Sequence, residues 1–76
     1  VLRFQAHGLT WIEVRDAAGV FVLRRSLASG ERVDASGQLP LAVVVGRADL
    51  TEVWIRGAVF DARAISQENV ARFEVK

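Results

Sequence analysis

Apolar and polar residues alternate along short stretches of this chain, with the period of two that is typical of a β-strand with one buried face. Between residues 10 and 15, Ile12 and Val14 fall on one side of the strand. Trp11 and Arg15 fall on the other side. No stretch has the longer apolar periodicity of a helix, so the pattern predicts β-structure almost throughout.

The alternation predicts seven to eight short strands, separated by single glycines that mark turns. Turn signals at this spacing are typical of a two-layer β-protein. We therefore expect an all-β fold, a small antiparallel β-sandwich of the Ig-like kind, forming one domain over residues 1–76. The predicted strands are Leu2–His7, Thr10–Arg15, Val20–Leu27, Arg32–Ala35, Leu39–Val45, Thr51–Arg56, Val59–Phe60 and Val70–Val75.

Two segments call for closer interpretation. Leu39–Val45 is the most hydrophobic strand and is predicted to be central and covered on both faces, with Pro40 tolerated near its start. Residues 62–69 are compatible with a loop or with a single helical turn, since Ile65 and Asn69 lie four apart. A loop is the favoured interpretation.

Composition narrows the function classes. The chain of 76 residues is 51% hydrophobic and has no cysteine, which excludes disulfides and thiolate metal sites. Its net charge is +1 and its basic residues are dispersed, so nucleic-acid binding is not expected.

No apolar run reaches a membrane-spanning length. The chain opens in strand-like sequence and contains no methionine, so we expect a domain cut from a longer protein, with any membrane helix upstream.

No combination of residues predicts catalysis. His7 is the sole histidine, and no acid near it in sequence completes a metal site or an acid–base pair. The serines lack a nucleophile elbow, the aspartates lack calcium-loop spacing, and no glycine-rich phosphate loop occurs. We therefore expect no enzyme activity, no metal and no cofactor.

The candidate binding residues are aromatic and basic. Trp11 and Trp54 each stand opposite the apolar side of their strand, where a platform could stack on sugar rings or anchor a protein. Alternatively, each indole covers the second face of its strand by packing against a loop. The adjacent pair at positions 24 and 25 could meet an acidic partner or an anionic polymer. The favoured alternative is a solvated strand edge protected by charge. The candidate partner-binding residues are Trp11, Arg15, Arg24, Arg25, Trp54 and Arg56.

Five motifs in order resemble the C-terminal domain of the RodZ family over nearly the whole chain. Thr10–Gly19 has a Trp-x-x-Val-x-Asp-x-x-Gly pattern, and Leu27–Glu31 a Leu-x-x-Gly-Glu turn. Residues 39–48 resemble its Pro-Leu…Gly-x-Ala strand. Arg56-Gly57 and residues 69–73 resemble its final hairpin and closing strand. The basic end of Phe21–Arg25 departs from the pattern.

The resemblance implies a membrane-anchored bacterial cell-shape protein. RodZ-like proteins have a cytoplasmic helix-turn-helix domain that binds the actin-like protein MreB, one transmembrane helix, a linker and a periplasmic β-domain. The implied role is a non-catalytic interaction module that couples this cytoskeleton to peptidoglycan elongation, through protein partners in the periplasm at the inner membrane. The residues themselves leave two alternatives, a peptidoglycan-binding module and a passive structural domain.

Overall fold

The computed structural model describes residues 1–76 and contains eight strands and two short 3-10 turns, with no longer helix. None of its helical segments has the length or apolar character needed to span a bilayer. The 3-10 turns are Ala48–Leu50 and Ala62–Ile65. The strands are β1 (Leu2–Ala6), β2 (Thr10–Arg15), β3 (Phe21–Leu27), β4 (Arg32–Ala35), β5 (Leu41–Val45), β6 (Thr51–Ile55), β7 (Ala58–Phe60) and β8 (Ala71–Val75).

The strands form two four-stranded antiparallel sheets that pack face to face. Sheet I has the order β4-β1-β6-β7, and sheet II has the order β3-β2-β5-β8. Consecutive strands β1 and β2 lie in different sheets, so the chain crosses the sandwich at its first turn. This arrangement confirms the predicted small all-β sandwich.

The core lies between the sheets and is built from the apolar side of each alternating strand. Phe4 is fully buried at the centre of sheet I, where its register partners are Val33 and Val53. At one side of the sandwich the rings of Phe60 and Phe73 pack with their centroids 4.4 Å apart, which joins β7 to β8. The buried apolar residues are Leu2, Phe4, Ala6, Ile12, Val14, Leu27, Ala35, Leu41, Val43, Val45, Ala48, Val53, Ala62, Ala71 and Val75.

Strand β5 is central, as predicted, but it is not covered on both faces. It lies between β2 and β8, and its outward residues Ala42 and Val44 are exposed and half-buried respectively. That prediction was wrong because nothing covers the outer face of sheet II. The strand also begins later than expected, at Leu41, after a cis Leu39–Pro40 bond.

The favoured loop over residues 62–69 was also wrong at its beginning. Ala62–Ile65 forms a 3-10 turn, and the Asp61 carboxylate accepts the Ala64 amide N–H at 3.3 Å. An aspartate at this position satisfies an amide that the turn leaves free, which is the usual signal for such a start. The turn buries Ala62 against the core.

Two buried threonines tie the sheets together where β2 and β6 begin. The Thr51 hydroxyl lies 2.8 Å from the Arg47 carbonyl and 2.9 Å from the Thr10 hydroxyl. The Thr10 hydroxyl accepts the Arg47 amide N–H at 3.1 Å. Each hydroxyl has one proton, so every group is satisfied when Thr51 donates to the carbonyl and Thr10 donates to Thr51.

Replacing Thr51 with valine is expected to lower the free energy of unfolding by about 1 kcal/mol, because the Arg47 carbonyl loses its buried donor. Thr51→Ser keeps the hydroxyl and should retain most of that stability. Urea unfolding of both variants measures the difference. No loss of stability in Thr51→Val would contradict the contribution of these hydrogen bonds, and a loss in Thr51→Ser would measure the packing of the methyl group.

Candidate functional site

The two tryptophans lie on opposite outer faces of the sandwich. Trp11 is on β2 of sheet II, and its neighbours Thr10 and Ile12 are buried, so the indole points outward. Trp54 is on β6 of sheet I and points outward next to buried Val53. The predicted partner-binding residues therefore occupy two separate surfaces.

Trp11 is exposed and yet held in place. Its side chain retains 40% of its accessible surface, and its Nε1–H donates to Glu13 Oε1 at 2.8 Å. Gly46 crosses close beside it and donates its amide N–H to the Trp11 carbonyl at 2.6 Å. A Cβ on Gly46 would lie 3.0 Å from the Trp11 Cβ. The alternative in which this indole packs against a loop is therefore wrong for Trp11.

Arg15 and Arg24 stack on one exposed phenylalanine. Their guanidinium carbons lie 4.9 and 4.8 Å from the centre of the Phe21 ring. A bulge between Val14 and Arg15 in the β2–β3 pairing places Phe21 opposite Arg15. Cation–π contact orients both guanidinium groups without using their N–H donors.

The basic pair at positions 24 and 25 is divided between two sides of β3. Arg24 lies on the outer face, with its Nε 3.9 Å from Glu13 Oε1. Arg25 is the register partner of buried Ile12 and therefore lies on the inner side, at the open edge of sheet II. The two cations thus cannot meet one acidic group together, whereas the alternative of a charged strand edge fits the position of β3.

The Glu31 carboxylate accepts hydrogen bonds from a side chain and from a backbone amide at this edge of sheet II. Its Oε2 accepts from Arg25 Nη2 at 2.6 Å, and its Oε1 accepts the Ala28 amide N–H at 2.8 Å. The amide hydrogen bond is the main cause that lowers the pKa of Glu31 below its ordinary value of 4.5, with Arg25 adding to it. The folded state therefore favours the ionised carboxylate.

Glu31→Gln is expected to lower the urea midpoint at neutral pH and to lower it less in acid. A carboxylate whose pKa is depressed on folding stabilises the protein above its ordinary pKa and loses that effect as the pH falls through the folded pKa. Urea midpoints at about pH 7 and about pH 3 measure this. A gap between wild type and variant that is as large at the lower pH as at neutral pH would contradict it.

Trp54 forms the wall of a shallow depression on the other sheet. Arg3 Nε donates to Asp34 Oδ1 at 2.9 Å there, and this bond lowers the pKa of Asp34 and raises that of Arg3. The depression has a volume of about 380 Å³. It is lined by Val1, Leu2, Arg3, Asp34, Trp54, Arg56 and Gly57.

Arg56 reaches this depression from a turn that follows β6. The predicted strand Thr51–Arg56 was therefore wrong at its end, because β6 ends at Ile55. Arg56 and Gly57 have φ of 50° and 80° and form the two-residue connection between paired Ile55 and Ala58. Such hairpins need positive φ at both central positions. The Arg56 Nη2 donates to the Lys76 carbonyl at 2.9 Å.

His7 has a single acidic neighbour. Its Nε2 lies 2.5 Å from Glu52 Oε1, and both side chains are about half exposed. No group of three or more histidine, aspartate or glutamate side chains is close enough to hold a metal ion. The histidine is a hydrogen-bonded surface residue.

Sequence reasoning missed two residues that shape the surface of sheet II. Phe21 was read only as a strand residue, because the bulge that places it under Arg15 and Arg24 leaves no sequence signal. Gly46 was read only as a turn marker, although its missing side chain makes room for Trp11. A glycine directly after a strand of β-branched residues was the available signal.

Comparison with known proteins identifies one family. The model of the RodZ C-terminal domain matches residues 3–74, which is nearly the whole chain. No curated protein and no solved structure matches significantly. The match covers the motifs that carried the sequence resemblance, and it agrees with the eight-stranded sandwich. The chain therefore belongs to the RodZ C-terminal domain family, which has a role related to cell shape.

Proposed function

We propose that this domain is a non-catalytic protein-interaction module of a membrane-anchored, RodZ-like protein. In this proposal it lies on the periplasmic side of the inner membrane and binds a protein of the wall-elongation machinery. The cytoplasmic part of the same protein would bind MreB, so that the domain links the cytoskeleton to peptidoglycan synthesis. Family membership supports the role in cell shape, and the surface of sheet II supports the choice of a protein partner.

The observation that carries the proposal is the exposed and fixed indole of Trp11. Tryptophan is enriched among the residues that dominate binding energy, because it combines a large apolar area with little conformational freedom. The hydrogen bond to Glu13 and the close passage of Gly46 already restrict this side chain. A partner that covers the indole would therefore lose little additional entropy on binding.

The neighbours of Trp11 suit a protein interface of mixed character. Register places Glu13, Val44 and Arg72 in one row across the outer face of sheet II. We call these three residues and Trp11 the Trp11 face. It combines an aromatic anchor, an apolar centre and two opposite charges, which is the usual composition of a protein-binding patch.

Site-specific photocrosslinking tests this proposal in the full-length membrane protein. A photoreactive residue at position 11 should capture a wall-synthesis protein. Val59 offers a matched control, because it is 77% exposed on the outer face of sheet I. Absence of a product from position 11, or the same products from position 59, would contradict the Trp11 face as the binding surface.

Peptidoglycan is the second candidate partner, because an exposed indole can also stack on sugar rings. Against it, the two tryptophans lie on opposite faces, so neither surface presents a pair of aromatic platforms. A titration with muropeptides followed by amide NMR separates the two partners. Shifts confined to the surroundings of Trp11 at millimolar ligand would favour the glycan, and their absence would favour the protein partner.

A further inference from the structure

One end of the sandwich presents a cluster of exposed apolar side chains, where β2 turns into β3. The Ala17 amide donates to the Gln38 carbonyl at 3.0 Å, which holds the loop before β5 against this hairpin. The exposed fractions of the apolar residues at this end are 58% for Val20, 37% for Phe21, 38% for Val22 and 42% for Leu39. We call these four residues the apolar tip.

Two arginines with free donors adjoin the apolar tip. Arg15 and Arg24 both stack on Phe21, and neither makes a hydrogen bond to another group of the protein. The nearby acid Asp16 is already engaged, because its Oδ1 accepts the Ala18 and Val20 amides at 2.9 and 3.0 Å. The end of the molecule therefore combines uncovered apolar surface with two oriented guanidinium groups. Arg15 has no acidic partner, and Arg24 has only the 3.9 Å contact of its Nε with Glu13 Oε1.

We propose that the apolar tip, Arg15 and Arg24 bind the surface of an anionic phospholipid bilayer. Guanidinium groups match phosphate oxygens with paired N–H donors, and stacking on Phe21 leaves those donors available. Apolar side chains beside such cations favour the boundary between head groups and acyl chains. A soluble oxyanion would use the arginines but would leave the four apolar side chains in water, so the combination favours an amphiphile.

The binding should depend on both charge and apolar contact. Each arginine near an anionic membrane surface strengthens binding by about fivefold, and added salt screens this effect. The inference goes beyond the proposed function because it concerns a different ligand and a different set of residues, although Arg24 lies beside Glu13 of the Trp11 face. Arg15 and Trp11 lie four residues apart on β2, about 13 Å along the strand.

Co-sedimentation of the 76-residue chain with vesicles tests the proposal. The chain should bind phosphatidylglycerol mixed with phosphatidylethanolamine, and should bind pure phosphatidylcholine much more weakly. The double variant Arg15→Gln/Arg24→Gln should weaken binding to the anionic vesicles about 25-fold. Val20→Ser/Leu39→Ser should weaken it as well, because it removes apolar contact and leaves the charge unchanged.

Matched controls lie at the opposite end of the sandwich. Arg63 and Ile65 belong to the second 3-10 turn, which lies near Asp49. Asp49 is close in sequence to Arg47, whose amide binds Thr10 at the start of β2, so this turn lies at the end of the sandwich where β2 begins. Arg63→Gln removes the same charge, and Ile65→Ser replaces a side chain that is 45% exposed. Both variants should bind anionic vesicles within about twofold of wild type.

The vesicle experiment would overturn the proposal if the chain did not sediment with anionic vesicles, if Arg63→Gln weakened binding equally, or if Arg15→Gln/Arg24→Gln retained binding. NMR shifts at Arg15 and Arg24 with glycerol phosphate but no vesicle binding would assign the arginines to a soluble oxyanion and would also overturn it. Crosslinking from position 11 in Val20→Ser/Leu39→Ser, which leaves Glu13 and Arg24 in place, tests the Trp11 face separately, so failure of one proposal is distinguishable from failure of the other.

Discussion

Phe4→Ala is expected to lower the free energy of unfolding by about 3–5 kcal/mol, the largest effect of any single substitution considered for this chain. Phe4 is fully buried in the central part of sheet I, and its ring contributes to the contact between the two sheets. A domain of this size has about 4–11 kcal/mol in total. The variant should therefore be substantially unfolded at 37 °C, as measured by thermal denaturation followed by circular dichroism.

Val59→Ala is the control for Phe4→Ala. Val59 is in the same sheet but is largely exposed, so its truncation should change the free energy of unfolding by less than about 0.5 kcal/mol. A loss below about 1 kcal/mol for Phe4→Ala would mean that the space between the sheets can close around the missing ring. It would contradict a tightly packed core.

Gly46→Ala is expected to cost about 2–3 kcal/mol and to displace the indole of Trp11. The new Cβ would lie 3.0 Å from the Trp11 Cβ and 3.3 Å from the Trp11 backbone nitrogen and oxygen. Backbone atoms paired in a sheet cannot move aside as a side-chain end can. Removing a glycine from the unfolded chain contributes about 0.4–1 kcal/mol in the opposite direction, which does not offset the clash.

Urea unfolding and the fluorescence spectrum of Trp11, in a chain with Trp54→Phe, measure the two effects of Gly46→Ala. Gly8→Ala is the matched control. A Cβ at Gly8 would meet the Leu50 Cδ1 at 2.7 Å, but that atom is the end of a flexible side chain. Its effect on stability should be smaller, and Trp11 fluorescence should not change. Unchanged Trp11 fluorescence in Gly46→Ala would contradict the view that this glycine positions the indole.

Alternation within each strand could be read from the sequence because it depends only on neighbouring residues. The bounds of β2 and β4 were predicted to the residue, and other strand ends differed by one or two. The largest of these differences is the start of β5, which was predicted at Leu39 and lies at Leu41. Pro40 explains it, because proline has no backbone N–H to donate to a neighbouring strand. The start of the 3-10 turn at Ala62 had a signal in the sequence, because Asp61 precedes it as a cap.

The relation between strands could not be read in the same way. Sheet order decides that Trp11 and Trp54 face away from each other, and order depends on pairing between distant segments. The bulge at Val14 and Arg15 shifts Phe21 into register with Arg15, and only the folded pairing shows it. The positive φ of Arg56 is similarly unexpected, because arginine rarely occupies that region without a hairpin that requires it.

The candidate binding residues were therefore found as residue types but not as surfaces. Trp11, Arg15 and Arg24 do share the outer face of sheet II, whereas Arg25 lies on its inner side and Arg56 lies in a turn near sheet I. Whether these residues bind a partner stays a prediction. The structure assigns the candidate residues to separate surfaces, so single substitutions can test each surface on its own.

The inward position of Arg25 has a consequence for crowded copies of the domain. Strand β3 is seven residues long, and an open strand of this length could otherwise serve as a template for a neighbouring chain. A second strand added there would have to enclose the Arg25–Glu31 pair between apposed layers and remove it from water. Extension of sheet II through β3 into a continuous fibre-like sheet would thus be disfavoured, even where many copies are close together.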